Sequence, residues 1–177
     1  MPFFKPDRYF ARLTDVDVDA DILRPGFTHL LLDVDNTILP RDTEVVPPDI
    51  LAWITRVREA GVVICLNSNN WHEPVLACAR NLGLPLVRGS VKPLPFAFFA
   101  ARRRIGAPRR RTLVIGDQLV TDGWGAHVCG MRVYLLAPLC ETDLWHTRLL
   151  RHIESGILSG IQPERKESDA EDAVAGP

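Results

Sequence analysis

Acidic residues follow two short apolar runs in this chain. Asp33 and Asp35 come directly after HLLL, and Asp117 comes after TLVIG, with Asp122 five residues further on. Carboxylates that gather in one place repel each other, and they keep their charge when a cation joins them. Hard oxygen ligands in small number suit Mg²⁺, which retains several waters and binds substrate phosphate. These residues therefore predict a magnesium site that handles a phosphate group.

Residues with hydrogen-bond donors also follow short apolar runs or lie close to the acidic residues. Ser68 follows the apolar run VVICL, Lys92 follows the next short run, and Thr37 lies two residues beyond Asp35. A lysine and a serine supply donors for phosphoryl oxygens. With one carboxylate placed to attack and a second placed for proton transfer, the set indicates metal-assisted phosphoryl transfer through a covalent aspartyl intermediate.

Short β-rich runs alternate with helical patterns along the chain and would position these residues. The predicted strands are 29–34, 62–66, 86–87, 112–115 and 132–136. The predicted helices are 48–60, 70–82, 95–104, about 119–130 and 143–153. Fully apolar strands that alternate with helices predict an α/β fold, with a mostly parallel sheet covered by helices on both faces. Ligands of such sheets bind beyond the carboxyl ends of the strands, where all the candidate residues fall.

Four motifs in order resemble those of the haloacid dehalogenase (HAD) superfamily: DVDNT, NS, VKP and GDQLVTD. The resemblance covers roughly residues 9–154 and implies a three-layer Rossmann-like fold. It also implies phosphate-ester hydrolysis, because Asp35 stands where an acid protonates a leaving oxygen, and a halide leaving group needs no such acid. A lone DxDxT would be a weak signal, whereas four motifs that each follow a strand are specific.

The resemblance implies a role for each matching residue. Asp33 would be the nucleophile, Asp35 would protonate the leaving oxygen and later activate water, and Mg²⁺ would be the cofactor. Asp122 would contact the metal through water or stand behind the ligands, or it would be only a first-turn acid of its helix. Asn69 is a candidate phosphate ligand or, alternatively, a loop residue. The predicted site comprises catalytic Asp33 and Asp35, phosphate-binding Thr37, Ser68, Asn69 and Lys92, and metal-binding Asp33, Asp35, Asp117 and Asp122.

Further segments are similar to the YqeG-type branch of the superfamily: PDRYF, VVICLNSNN, GMRVYLL and DLWHTRLLRHIE. That branch is related to the mitochondrial phosphatidylglycerophosphate phosphatase, so the resemblance implies a phosphorylated glycerol head group on a lipid as candidate substrate. Trp124 and His127 depart from the branch's usual residues near the expected mouth of the site. A phosphoprotein phosphatase, a nucleic-acid end phosphatase and a non-catalytic binding module on the same fold are the alternatives.

The spacing between motifs leaves no room for a large cap domain. One helix and short connections separate Thr37 from the next strand, and the same holds between Ser68 and Lys92. A site without a lid admits a large phosphorylated molecule, such as a lipid head group or a macromolecule, and would also suit closure by a second subunit.

Composition limits the protein's class and surroundings. The chain has 177 residues, of which 46% are hydrophobic and 24% charged, with a formal net charge of −1. This is the profile of a soluble globular domain, and no overall field steers it to nucleic acid. Its four cysteines lack the spacing of a metal site or a disulfide framework, and the N-terminus lacks a secretory signal, so we expect a cytoplasmic protein with reduced thiols.

The C-terminal stretch differs in composition from the rest. Residues 163–177 hold five acids and two bases, with one large apolar residue. Such a segment cannot bury enough surface to offset chain entropy. The sequence therefore predicts a phosphatase domain over residues 1–162 and a disordered acidic tail over 163–177.

Five other segments carry unusual composition. The arginine clusters 102–104 and 109–111 are interpreted as a helix end and a turn, with contact to anionic lipid or nucleic acid as the alternative. The basic, aromatic segment 3–13 is expected to pack on its own domain, the alternative being peripheral contact with the inner face of the membrane. The acidic run 15–21 lacks the pattern of a calcium loop and is expected to be a solvated connector. Phe96, Phe98 and Phe99 are expected in the core.

Overall fold

Six parallel strands form the centre of the computed structural model, which describes residues 5–140 and 161–165. They are β1 (Arg8–Phe10), β2 (His29–Leu32), β3 (Val63–Asn67), β4 (Leu86–Val87), β5 (Thr112–Gly116) and β6 (Arg132–Leu136). Their order across the sheet is β1-β6-β5-β2-β3-β4. The predicted parallel sheet is confirmed, and β1 is an additional strand that is too short to show periodicity.

The helices are α1 (Pro48–Glu59), α2 (Glu73–Leu82), α3 (Pro95–Arg104) and α4 (Gly125–Val128). A wide helical turn, Leu119–Trp124, precedes α4 and divides what the sequence predicted as one helix. The predicted closing helix 143–153 lies outside the described residues. Within residues 5–140 and 161–165, no helix is long and apolar enough to span a bilayer.

The sheet is covered on both faces, as the sequence predicts. Leu30 and Leu32 pack in one apolar cluster with residues of α1 and α2, whereas Leu31 packs in a second cluster with residues of α3 and α4. Successive side chains of a strand point to opposite faces, so an unbroken apolar run places leucine against helices on each side. No inserted cap domain interrupts residues 5–140.

The described part of the N-terminal segment, residues 5–13, packs on the edge of the sheet, in agreement with the first of the two interpretations offered for it; Phe3 and Phe4 lie outside the described residues. β1 pairs with β6, and Arg8 lies between Asp21 and Glu164. The Glu164 amide donates to the Tyr9 carbonyl oxygen at 2.8 Å. Glu164 falls inside the range predicted to be a disordered tail, so at least this part of the range forms backbone hydrogen bonds; residues 166–177 lie outside the described residues.

Two predictions of burial were only partly correct, since Asp19 is exposed and Phe98 is buried as expected, but other residues differ. Asp15 and Asp21 are buried rather than solvated, because Asp15 accepts the Arg12 amide and Asp21 accepts the Asp17 amide. In α3, Phe98 is fully buried, while Phe96 and Phe99 are more than half exposed. A helix that is apolar all round does not reveal by its sequence which face will be buried.

The arginine clusters lie at the end of α3 and in a short turn before β5, as the favoured interpretation states. The Arg102 guanidinium donates to the Ala107 carbonyl oxygen beyond the end of α3, through Nε at 3.0 Å and Nη2 at 2.9 Å. The arginines at 103–104 and 109–111 are exposed.

Candidate active site

Three carboxylates converge where the carboxyl ends of β2 and β5 lie side by side. Asp33 follows β2, Asp117 follows β5, and Asp122 lies on the turn after β5. All three are buried, and their nearest oxygens lie within 4.8 Å of one another. The chain runs from β2 out to β4 and returns on the other side of β2 as β5, so this is the switch point at which open α/β sheets bind ligands.

Lys92 lies among these carboxylates. Its ammonium Nζ is 2.5 Å from Asp33 Oδ1 and 2.7 Å from Asp122 Oδ1, and its side chain is only 3% exposed. Burial would lower the pKa of Lys92, but Asp122 and Asp33 raise it above its usual range, so the ammonium stays charged. Burial raises the pKa of Asp33 to about 7; Lys92 opposes this rise, while Asp122 and Asp35 add to it.

Asp35 has a different environment from Asp33. A turn through Asn36, which adopts the left-handed conformation with φ of +60°, follows it. Asp35 Oδ2 accepts a hydrogen bond from Ser68 Oγ at 2.9 Å, and its Oδ1 lies 3.4 Å from His72 Nε2. The two carboxylates therefore face different groups, which is the condition for one to attack while the other exchanges protons.

The remaining predicted residues surround this pair. Thr37 Oγ1 lies 3.4 Å from Asp33 Oδ2. Ser68 Oγ accepts from the Asn70 amide at 3.0 Å while donating to Asp35. The structure thus brings all the predicted residues to one edge of the sheet.

Asn69 contacts the chain that carries the lysine. Its Oδ1 accepts from the Lys92 amide at 2.6 Å and from Ser90 Oγ at 3.1 Å, and its Nδ2 donates to the Lys92 carbonyl oxygen at 3.1 Å. The side chain that was a candidate phosphate ligand therefore joins the end of β3 to the Lys92 loop. This agrees with its alternative interpretation as a loop residue.

Gly116 is a site residue that sequence reasoning did not identify. A Cβ atom at this position would lie 2.4 Å from Asp122 Cγ and 2.5 Å from its Oδ2. Real carbon atoms do not approach so closely, so the Asp122 carboxylate occupies space that exists because residue 116 has no side chain. The sequence contains this glycine in the motif GDQLVTD, but only the structure shows that the Asp122 carboxylate needs the space beside it.

We expect Gly116→Ala to lower phosphate release by about 10- to 100-fold, because a displacement of about 1 Å in a positioning group has effects of this size. The added methyl group would push Asp122 away from Lys92 and leave the other ligands in place. Initial rates of phosphate release measure the effect. Arg110→Ala is the control, since Arg110 is exposed and precedes β5 at the opposite end. Equal rates for wild type and Gly116→Ala would contradict the prediction.

Two adjoining cavities open beside the acidic residues. The first, of about 280 Å³, is lined by Asp35, Arg41, Asn70 and His72, among others. The second, of about 610 Å³, lies between the loop 39–46 and α2. Leu39, Glu44 and Pro74 line both cavities. We call the second the apolar groove, because Val45, Val46, Leu51, Ala77 and Leu82 are among its lining residues.

The three converging carboxylates fit a divalent metal ion by the chemistry of their donors. When all are ionised, three carboxylates and one ammonium carry a net charge of −2, which one divalent cation balances. The donors are hard oxygens, which suit Mg²⁺.

Comparison with known proteins gives consistent results. Residues 6–130 match the family model described as haloacid dehalogenase-like hydrolase. The chain is 29% identical over 160 residues to the probable phosphatase YqeG of Bacillus subtilis, covering 90% of this chain and 92% of that protein. It is 34% identical over 77 residues to the 5-amino-6-(5-phospho-D-ribitylamino)uracil phosphatase YigB of Escherichia coli, covering 41% of this chain and 32% of that protein.

Solved structures share the fold. The cobalt-bound deoxy-D-mannose-octulosonate 8-phosphate phosphatase of Haemophilus influenzae superposes with a TM-score of 0.54 at 15% identity, covering 76% of this chain and 88% of that one. An uncharacterised protein of Corynebacterium glutamicum superposes with a TM-score of 0.52 at 20% identity, covering 78% and 99%. At these identities the likeness concerns the fold alone.

Proposed function

The chain belongs to the haloacid dehalogenase-like hydrolases and is a phosphatase related to the YqeG type, and from this premise we propose a Mg²⁺-dependent phosphomonoesterase that works through phospho-Asp33. The observation that carries the proposal is the convergence of the buried carboxylates Asp33, Asp117 and Asp122, two of which, Asp33 and Asp122, bind the buried ammonium of Lys92. A structural ion pair does not need a third buried carboxylate beside it, whereas phosphoryl transfer needs a nucleophile, a metal site and a donor together.

The proposed reaction has two steps. The Asp33 carboxylate attacks phosphorus, forming an acyl phosphate, while Asp35 gives its proton to the departing ester oxygen and an alcohol leaves. Asp35, now ionised, then accepts a proton from a water molecule that attacks phosphorus, which releases inorganic phosphate and regenerates Asp33. Lys92 and Ser68 would hold phosphoryl oxygens by hydrogen bonds, and Thr37 would support the turn beside Asp33. Mg²⁺, held by Asp33, Asp117 and the Asp35 carbonyl oxygen with Asp122 nearby, would neutralise phosphoryl charge.

The proposed substrate is phosphatidylglycerophosphate or a similar large phosphorylated molecule. The resemblance of the sequence segments to the YqeG-type branch supports this, as does a site that no cap covers within residues 5–140. The apolar groove adjoins the cavity at Asp35, and Val45 in its lining is 67% exposed. An acyl chain would cover such a surface, because burial of apolar area removes it from water.

Exposed apolar side chains around Lys92 support peripheral contact with a membrane. Val91 is 53% exposed and Leu94 is 46% exposed, on either side of the cis peptide bond Lys92–Pro93. Trp71 is 72% exposed, and its ring packs close to Gly89. Exposed apolar groups that cluster beside a site mark interaction surfaces, and aromatic rings suit the membrane interface.

Phosphate release tests the activity and the substrate together. With Mg²⁺, we expect release from phosphatidylglycerophosphate in vesicles to exceed release from phosphopeptides and from 5′- or 3′-phosphorylated DNA. A chelator should stop release, and added Mg²⁺ should restore it, because the carboxylates alone cannot balance phosphoryl charge. Turnover that persists in chelator would refute the metal dependence. A preference for phosphopeptides or for phosphorylated DNA ends would rule out the lipid substrate. It would favour a phosphoprotein phosphatase or a nucleic-acid end phosphatase, respectively.

A further inference from the structure

Arg41 carries buried hydrogen-bond donors that nothing in the described structure accepts. It lies on the loop between β2 and α1, and its Nε and Nη1 atoms are both buried. Within residues 5–140 and 161–165, neither atom has a hydrogen-bond partner. A guanidinium cannot lose its charge, and a buried donor without an acceptor is unfavourable. Unmatched donors on a permanent cation are complementary to an oxyanion, which accepts charge-assisted hydrogen bonds from them.

The position of Arg41 relates it to the leaving group rather than to the transferred phosphate. Arg41 lines the 280 Å³ cavity that opens beside Asp35, with Asn70 and His72 also in the wall. In the proposed reaction Asp35 protonates the departing oxygen, so the alcohol part of the substrate extends from that point. Glu44 also lines this cavity, but it is exposed to solvent and forms no ion pair with Arg41 among the described contacts.

We infer that Arg41 binds a second anionic group, carried by the alcohol part of the substrate. The inference rests on the proposed function, because it takes the direction of the leaving group from the role of Asp35. The anionic group is a phosphate. It is either the phosphodiester of a glycerophospholipid or the second phosphate of a soluble bisphosphate. Arg41 is thus a specificity-determining residue, and substrates with a single phosphate make no use of it.

Three substrates separate these possibilities: a soluble short-chain phosphatidylglycerophosphate, glycerol 1,3-bisphosphate, and an aryl phosphate. In Arg41→Gln we expect the kcat/KM for the two doubly anionic substrates, divided by that for the aryl phosphate, to fall about 10- to 100-fold. The fall should appear mainly in KM, because a contact remote from phosphorus holds the ground state and the transition state alike. Arg41→Lys should recover part of the loss, since it keeps the charge without the planar guanidinium. Arg110→Gln, which is exposed before β5, should leave the ratio at the wild-type value.

Thermal unfolding without substrate distinguishes binding from a structural role. Because the buried donors of Arg41 are unmatched, Arg41→Gln should melt no lower than wild type; a lower midpoint together with an equal loss on all three substrates would overturn the inference. An unchanged ratio in an active enzyme would also overturn it, while leaving the proposed function intact. A wild type that hydrolyses none of the three refutes both. A fall confined to the lipid analogue identifies the phosphodiester as the bound group, and a fall shared with the bisphosphate identifies a phosphate of either source.

Discussion

Asparagine in place of Asp33 is expected to abolish phosphate release, with a loss of about 10³-fold or more. An amide oxygen is too weak a nucleophile to form the acyl phosphate, and the variant also lacks one carboxylate of the proposed metal site. Asparagine has nearly the same shape as aspartate, so the variant should still bind substrate. Initial rates with Mg²⁺ measure the loss. Asp19→Asn is the matched control, because this exposed aspartate forms a surface ion pair with Arg56.

The fold of the Asp33→Asn variant should survive. In the metal-free protein the pKa of Asp33 is raised from 3.8 to about 7, chiefly by burial. The folded state therefore holds this proton more tightly than the unfolded state does, and the ionised carboxylate lowers the free energy of unfolding as pH rises from 3.8 to above 7. A neutral amide removes that dependence. Without metal at pH 8, we expect urea midpoints for the variant at or above the wild-type value. Wild-type turnover in a folded variant would refute the role of Asp33.

Replacement of Lys92 by methionine is expected to lower the free energy of unfolding by about 3–5 kcal/mol, the usual effect of removing one partner from a buried ionic cluster. Methionine fills similar volume, so the loss is electrostatic: Asp33 and Asp122 would face each other without the ammonium between them. Urea unfolding of the metal-free protein gives the value. Lys5→Met is the control, because Lys5 is exposed. Activity should fall as well, since a donor to phosphoryl oxygens is lost.

A second substitution tests the electrostatic explanation. If unpaired charge is the cause, Lys92→Met combined with Asp122→Asn should cost less than the sum of the two single changes, since residues in contact are not additive. Strict additivity would indicate that packing rather than charge holds Lys92 in place. A Lys92→Met variant as stable as wild type would show that the cluster contributes nothing to the fold in the absence of metal.

The sequence alone determined the architecture and the convergence of the chemical residues. Unbroken apolar runs such as 30–32 require cover on both faces, and parallel strands end at the same edge of the sheet. Those two rules place Asp33, Ser68, Lys92 and Asp117 together before any coordinates are known, since each directly follows a strand or lies on the loop after one. The bounds of α1 followed to within one residue from apolar spacing, proline and glycine.

Contacts between residues distant in sequence were decided only by the tertiary structure. Arg8 and Glu164 are 156 residues apart, and no local pattern indicates that they meet at the edge of β1. The same applies to the space that Gly116 leaves for Asp122, and to the use of the Asn69 side chain by the Lys92 loop. Periodicity reports how often a residue type recurs along one element. It does not say which residues of a neighbouring element will form hydrogen bonds with that residue. The unmatched donors of Arg41 are therefore seen only in the tertiary structure.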